Sequence, residues 1–301
     1  MPGKKLKRTS LYASGASVVN MLQAVFYNQD CIVYDLEDSV PLDGKDAARF
    51  LISNVLRRHR PEDKHIQIRV NGIYSIYFEE DLEAAVRARP DALRVPKVET
   101  AEEVRTISRK VAAIERKAGI EEGSIKLWCT LESHIGVLNA KSIAEADPRV
   151  EALILGAEDF TASMRARRTK EGPEIFYARN AMLMACRAAG VDAIDALFPD
   201  VNDVEGLKED AKKSKTLGFD GKTAIHPRQV DIINDAFTPT QKEINYAIRV
   251  LDAIEEGKRQ NKGAVSLDGS MIDKPIVIRA QTVMALAKAA GIKIGGDYYE
   301  R

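Results

Sequence analysis

From Thr9 to Ile225 the chain alternates short apolar runs with stretches of helical periodicity, and that rhythm leaves few folds open. The runs are Thr9–Ala13, Cys31–Leu36, Ile66–Val70, Leu93–Val98, Lys126–Leu131, Ala152–Gly156, Ala193–Phe198 and Gly221–Ile225. They are short, and most are continuous rather than alternating, as expected of parallel strands covered on both faces. The segments between them carry helix signals. Thr100-Ala101-Glu102-Glu103 is a capping box, Val104, Ile107, Val111 and Ile114 share a face behind it, and Gly119 closes the helix. Ile175–Ala189 stops at Gly190, and Asn202 with Glu205 opens a helix that stops at Gly218. Leu82, Ala85 and Val86 lie on a helix that ends before Pro90. Eight such units predict an α/β fold, a (β/α)₈ TIM barrel. A doubly wound open sheet is the alternative, but Ala13-Ser14-Gly15-Ala16-Ser17 is not the Gly-rich loop that such a sheet usually carries after its first strand.

The barrel is expected to occupy residues 1–236, leaving 237–301 as a C-terminal lid or oligomerisation segment. In that segment Thr238-Pro239 reads as a helix start, Ile244, Ile248, Leu251 and Ile254 as one apolar stripe ended by Gly257, and Ile276–Ala290 as a last helix. Lys+Arg and Asp+Glu are 45 each, which removes the bulk electrostatic case for nucleic acid or an anionic membrane. No segment reaches the ~18 apolar residues of a membrane span. Cys31, Cys129 and Cys186 are far apart in apolar runs, as buried thiols of a reducing compartment are, so a cytoplasmic protein is expected.

A barrel of this type keeps its chemistry at the C-terminal ends of its strands. Those ends carry Asp35, Glu37 and Asp38, then Arg69 and Asn71, Lys97, Glu132, Glu158 and Asp159, Asp200, and His226. Glu37, Asp38, Glu132 and Asp159 are too many carboxylates to gather without a cation. Mg²⁺ takes one or two carboxylates and completes its shell with water and substrate, which suits Glu132 and Asp159 as ligands with Glu37 and Asp38 on the metal waters. Ion pairing with Arg69, Lys97 and Arg8 is the alternative. Arg69 has the fork to hold a substrate carboxylate or an enolate oxygen, unless it is a rim salt bridge. His226, before Pro227, reads as a structural histidine. The basic stretch Lys4-Lys5-Leu6-Lys7-Arg8 is a solvated tail or, through Arg8, a contact for the phosphates of a large acyl carrier. There is no GxSxG and no HExxH.

These motifs resemble the citrate lyase β-subunit and malyl-CoA lyase-like aldolase family. The resemblance runs over essentially the whole chain. It is carried by Asp35-Leu36-Glu37-Asp38-Ser39-Val40, Arg69-Val70-Asn71, Leu93-Arg94-Val95-Pro96-Lys97, Glu132 with Gly136 and Gly156-Ala157-Glu158-Asp159. It continues in Leu217–Lys222, His226-Pro227-Arg228-Gln229 and Met271-Ile272-Asp273. The resemblance implies Mg²⁺ and a retro-Claisen cleavage of a citryl thioester, on CoA or an acyl carrier protein, to oxaloacetate and an acetyl thioester. It implies Glu132 and Asp159 as metal ligands, Arg69 as the substrate arginine, and Glu37 and Asp38 as metal-water carboxylates. Asp273 would be the acid/base of the lid, often in a neighbouring subunit's site. Arg8, His226, Pro227 and Gln229 would lie around the CoA-like arm. It also implies a homo-oligomer and, for a citrate lyase, association with α and γ (acyl carrier) subunits. A stand-alone lyase acting on malyl-CoA or citramalyl-CoA shares most of these motifs, and a non-catalytic assembly subunit is a third reading. Ser14-Gly15 and Ala16-Ser17 replace the family's usual Pro-Gly and following Asn.

Overall fold

A computed structural model describes residues 6–260 and 265–294. Lys4 and Lys5 of the basic stretch and Gly263 of the tail lie outside the described residues. Eight parallel strands, β1 (Thr9–Ser14), β2 (Cys31–Asp35), β3 (His65–Arg69), β4 (Ala92–Val95), β5 (Lys126–Leu131), β6 (Val150–Leu155), β7 (Asp192–Asp195) and β8 (Gly221–Ala224), close into a barrel in sequence order. The closure pairs Ser10 of β1 with Thr223 of β8. This is the (β/α)₈ architecture that the alternating runs predict. Most strand ends fall one to three residues earlier than the apolar runs suggest, because chain still buried over the barrel mouth continues the run after pairing stops.

The helices follow their own signals. Ala101–Ala118 has the capping box at Thr100 and Glu103 and ends on left-handed Gly119. Pro173–Ala189 carries Pro at its first position and ends on Gly190. In Val204–Leu217 the cap is Asp203, not Asn202, because the Asp203 carboxylate is the group that accepts the Gly206 N–H. No described helix is long and apolar enough to cross a membrane.

Register sorts the strand side chains. Pairing sets Asp35 beside Arg69, Arg69 beside Arg94, and Arg94 beside Trp128, so all four share one face. That face is the barrel interior, since Tyr12 of β1 touches Arg94 three strands away, with the guanidinium 5.1 Å from the ring centre. The N-terminal end of the interior is closed by polar contacts. Between Leu127 and Trp128 the β5–β6 register slips past Glu151, a bulge that re-aims its carboxylate. Glu151 then accepts from Trp128 Nε1 at 2.7 Å and pairs with Lys7 at 2.8 Å. Burial alone would raise the Glu151 pKa, but His65, Lys7 and Trp128 together hold it well below the ordinary carboxylate range. All three cysteines are buried and free, with burial pushing each thiol up to about 12.

The described chain divides into two compact units, one of residues 7–234 and one of Leu6 with the residues from Asp235 onward. In the second unit the helix Gln241–Arg259 is capped by Thr240 and Glu243, so the capping box overrides the Thr238-Pro239 start. Its face of Ile244, Ala247, Val250 and Leu251 packs on Ala280, Met284 and Ala287 of the helix Lys274–Ala289. A two-residue hairpin, β9 (Ser266–Leu267) and β10 (Ser270–Met271), turns at Asp268-Gly269 with both φ positive, as a tight hairpin requires.

Candidate active site

The C-terminal mouth of the barrel is built on a buried ion pair. Arg69 ends β3, and its Nε and Nη2 donate to the two carboxylate oxygens of Asp35, at 2.6 and 2.8 Å. This bidentate fork follows from the β2–β3 register, which makes the two residues cross-strand neighbours. Burial alone would raise the Asp35 pKa, and Arg69 reverses the effect and lowers it. Asp35 also accepts the N–H groups of Glu37 and Ser39, at 2.9 and 3.1 Å, and so folds the acidic loop back over the strand end. Beneath the loop, Lys45 donates to the carbonyls of Leu36 and Glu37 at 2.7 Å each and to Asn71 Oδ1 at 3.2 Å. Burial lowers the Lys45 pKa.

Glu37 is thereby held inward between two cations, with Arg69 Nη1 at 2.8 Å and Lys97 Nζ at 2.9 Å. Asp38 is exposed, 3.2 Å from Arg69. Lys97 follows β4 in a left-handed conformation, φ 56°. Glu37, Asp38 and Lys97 line one end of a cavity of about 470 Å³ that extends past Asn71 and Gly72 to Tyr74.

Glu132 leaves β5 and is 8% exposed. Its Oε2 is buried with no hydrogen-bond partner. Its pKa stands well above the ordinary value, first through burial and then through the negative charges of Glu37 and Asp159. The approach to Asp159 depends on Gly156, which donates its N–H to Leu131 O at 3.0 Å and joins the ends of β5 and β6. A Cβ on Gly156 would collide with the Glu132 side chain, so only glycine fits there. Asp159 follows in the first turn of the helix Ala157–Ser163, exposed at the mouth. An unpartnered buried carboxylate opposed by two others fits a divalent cation. Among the described residues no group of three or more His, Cys, Asp or Glu forms a ligand cage. An ion that takes two carboxylates and fills its shell with water and substrate, as Mg²⁺ does, needs no such cage.

The structure thus brings Glu37, Asp38, Arg69, Glu132 and Asp159 to one mouth. Reasoning from the sequence placed Asp35 at a strand end but gave it no role as the anchor of the arginine, and it gave Lys45 no part. A basic residue in the first turn of a helix opposes the helix dipole, and that placement was the signal available for Lys45. Arg8 is a correction. It precedes β1, so it stands at the N-terminal end of the barrel, opposite the carboxylates. Its guanidinium is locked on Asp30 at 2.7 and 2.9 Å. His226, Pro227 and Gln229 follow β8 at the catalytic end. Gln229 is buried and clamps two loops, accepting from Ile225 N and donating to Phe198 O. His226 Nδ1 accepts the Arg228 N–H and caps the short turn opened by Pro227. Asp200 is exposed five residues beyond β7 and accepts the Asn202 N–H of its own turn. Asp273 belongs to the second unit, where it caps the helix Lys274–Ala289 by accepting the Ile276 N–H at 3.1 Å.

Comparison with known proteins agrees with this architecture. The model of the HpcH/HpaI aldolase/citrate lyase family matches residues 8–227. The chain is 38% identical over 302 residues to the citrate lyase subunit beta of Leuconostoc mesenteroides subsp. cremoris, covering 100% of both chains. It is 34% identical to the mitochondrial citramalyl-CoA lyase of Mus musculus, over 93% of this chain and 86% of that protein. The CitE protein of Mycobacterium tuberculosis, solved in complex with magnesium, acetoacetate and coenzyme A, superposes with a TM-score of 0.77 at 27% identity, over 94% of this chain and 98% of that one. A family model spanning most of the barrel and a full-length relative at this identity place the chain in the HpcH/HpaI aldolase/citrate lyase family.

Proposed function

We propose that the chain is a magnesium-dependent carbon–carbon lyase that cleaves a citryl thioester to oxaloacetate and an acetyl thioester, acting as the β-type subunit of a citrate lyase. The observation that carries this reading is Glu132, whose buried, unpartnered carboxylate oxygen is opposed by the charges of Asp159 and Glu37 at the mouth where Arg69 is held. The full-length likeness to a citrate lyase subunit beta supports the substrate. Magnesium held by Glu132 and Asp159 would lower the pKa of the substrate hydroxyl and polarise the nascent ketone. Glu37 and Asp38 would hold the ion's waters. Arg69, fixed by Asp35, keeps a positive charge beside the substrate carboxylate and the enolate that develops as the C–C bond breaks. Asp273 is the acid that protonates the enolate carbon, from a C-terminal segment acting as a lid, in its own or a neighbouring subunit's site. The partners that follow are α and acyl-carrier γ subunits and further copies of this chain, in the cytoplasm.

The substrate comparison is the test. With Mg²⁺ the protein should cleave citryl-CoA with a kcat/KM at least ~100-fold above those for malyl-CoA and citramalyl-CoA, about 2.7 kcal/mol of transition-state preference. The reverse order would make it a stand-alone acyl-CoA lyase, the reading favoured by its likeness to the citramalyl-CoA lyase.

A further inference from the structure

A citryl thioester carries two free carboxylates, whereas malyl and citramalyl thioesters carry one. Chelation through the hydroxyl and its neighbouring carboxylate uses the one that all three share. The second, on a methylene arm, needs its own cation. Three cations adjoin Glu37, namely Arg69, Lys45 and Lys97, and the first two are engaged. Arg69 has Nε and Nη2 on Asp35 and Nη1 on Asp38 and Glu37. Lys45 is buried with its three donors on Leu36 O, Glu37 O and Asn71 Oδ1.

Lys97 differs. Among the described residues its ammonium makes one hydrogen bond, to Glu37 Oε1, and a lysine has three to give. Its side chain is 54% exposed and lines the cavity of about 470 Å³ that starts at Glu37 and Asp38. Burial pulls its pKa down, but Glu37 outweighs that and raises it, so the group stays charged. The backbone at Lys97 is left-handed, a conformation uncommon for a non-glycine residue, and it fixes where the side chain leaves the strand end.

We propose that Lys97 is a specificity-determining residue, its ammonium, held by Glu37 on one side, taking the second carboxylate of the substrate in the adjoining cavity. The assignment rests on the proposed lyase reading for its substrate, but its test does not need turnover. Oxaloacetate and pyruvate share the 2-oxo acid that a divalent ion chelates, and only oxaloacetate adds a carboxymethyl arm. Calorimetry with Mg²⁺ should show the wild type binding oxaloacetate more tightly than pyruvate. Lys97→Met should weaken oxaloacetate by roughly 10- to 100-fold, the range of a charge-assisted hydrogen bond, and pull its affinity towards that of pyruvate. Lys97→Arg should restore part of the difference. In turnover, the ratio of kcat/KM for citryl-CoA to that for citramalyl-CoA should fall by a similar factor. Equal losses for both ligands, no loss, or a wild type that does not distinguish them would overturn the assignment. Absence of thioester cleavage by the wild type would instead overturn the lyase reading, with the oxaloacetate–pyruvate comparison still deciding Lys97.

Discussion

Glu132→Ala is expected to abolish thioester cleavage and to weaken Mg²⁺ binding while leaving the barrel folded. The physical reason lies in what the carboxylate is missing. Glu132 is buried beside Glu37 and Asp159, has one oxygen without a partner, and has a pKa pushed well above the ordinary range. Without a cation it therefore retains a proton to higher pH than a solvated glutamate. Mg²⁺ binding must expel that proton, so affinity should rise with pH until Glu132 is ionised, and binding should release protons to the buffer. Glu132→Gln should flatten that dependence. Asp159→Ala should also lose turnover and Mg²⁺ affinity. Metal titrations of the three variants across pH make the check. Wild-type affinity in both alanine variants would remove these carboxylates from the metal site.

Asp273→Asn should lose at least ~100-fold in kcat, since a general acid or base contributes about 10²–10⁴ in rate. The substitution separates two roles. Asp273 caps the helix Lys274–Ala289, and asparagine caps about as well as aspartate, so melting temperature and Mg²⁺ affinity should hardly move. Alanine would confound the test by removing cap and acid together. Mixing Asp273→Asn with inactive Glu132→Ala subunits should restore activity if the acid crosses between subunits. Wild-type kcat in Asp273→Asn would reduce the residue to a helix cap.

Much of the barrel and its mouth was legible because the period and polarity of the chain carry both. Parallel strands read as apolar runs, and the polar residues that follow them fall at one end of the barrel. The reading of Arg8 as a ligand contact came from the basic stretch and the family resemblance and not from this rule, by which a residue preceding a strand sits at the opposite end. The role of Asp35 was hidden for a different reason. Its partner is fixed by register, and register between β2 and β3 depends on pairing that neither run displays alone. Gly257 read as a helix stop, yet the helix continues through it to Arg259, because the glycine makes room for Val265 to pack against the helix. Close approach and helix termination leave the same letter in a sequence. The bulge that turns Glu151 towards Lys7, and the left-handed Lys97, likewise come from tertiary geometry and leave no local pattern.

The central claim is that the carboxylate mouth breaks a carbon–carbon bond, and identifying the products tests it most directly. Incubated with citryl-CoA and Mg²⁺, the protein should yield oxaloacetate, detected by coupling to malate dehydrogenase, and acetyl-CoA in one-to-one amounts, with neither formed when a chelator removes the metal. Release of citrate and free CoA instead would mean thioester hydrolysis and would contradict the assignment, as would an unchanged rate in the presence of the chelator.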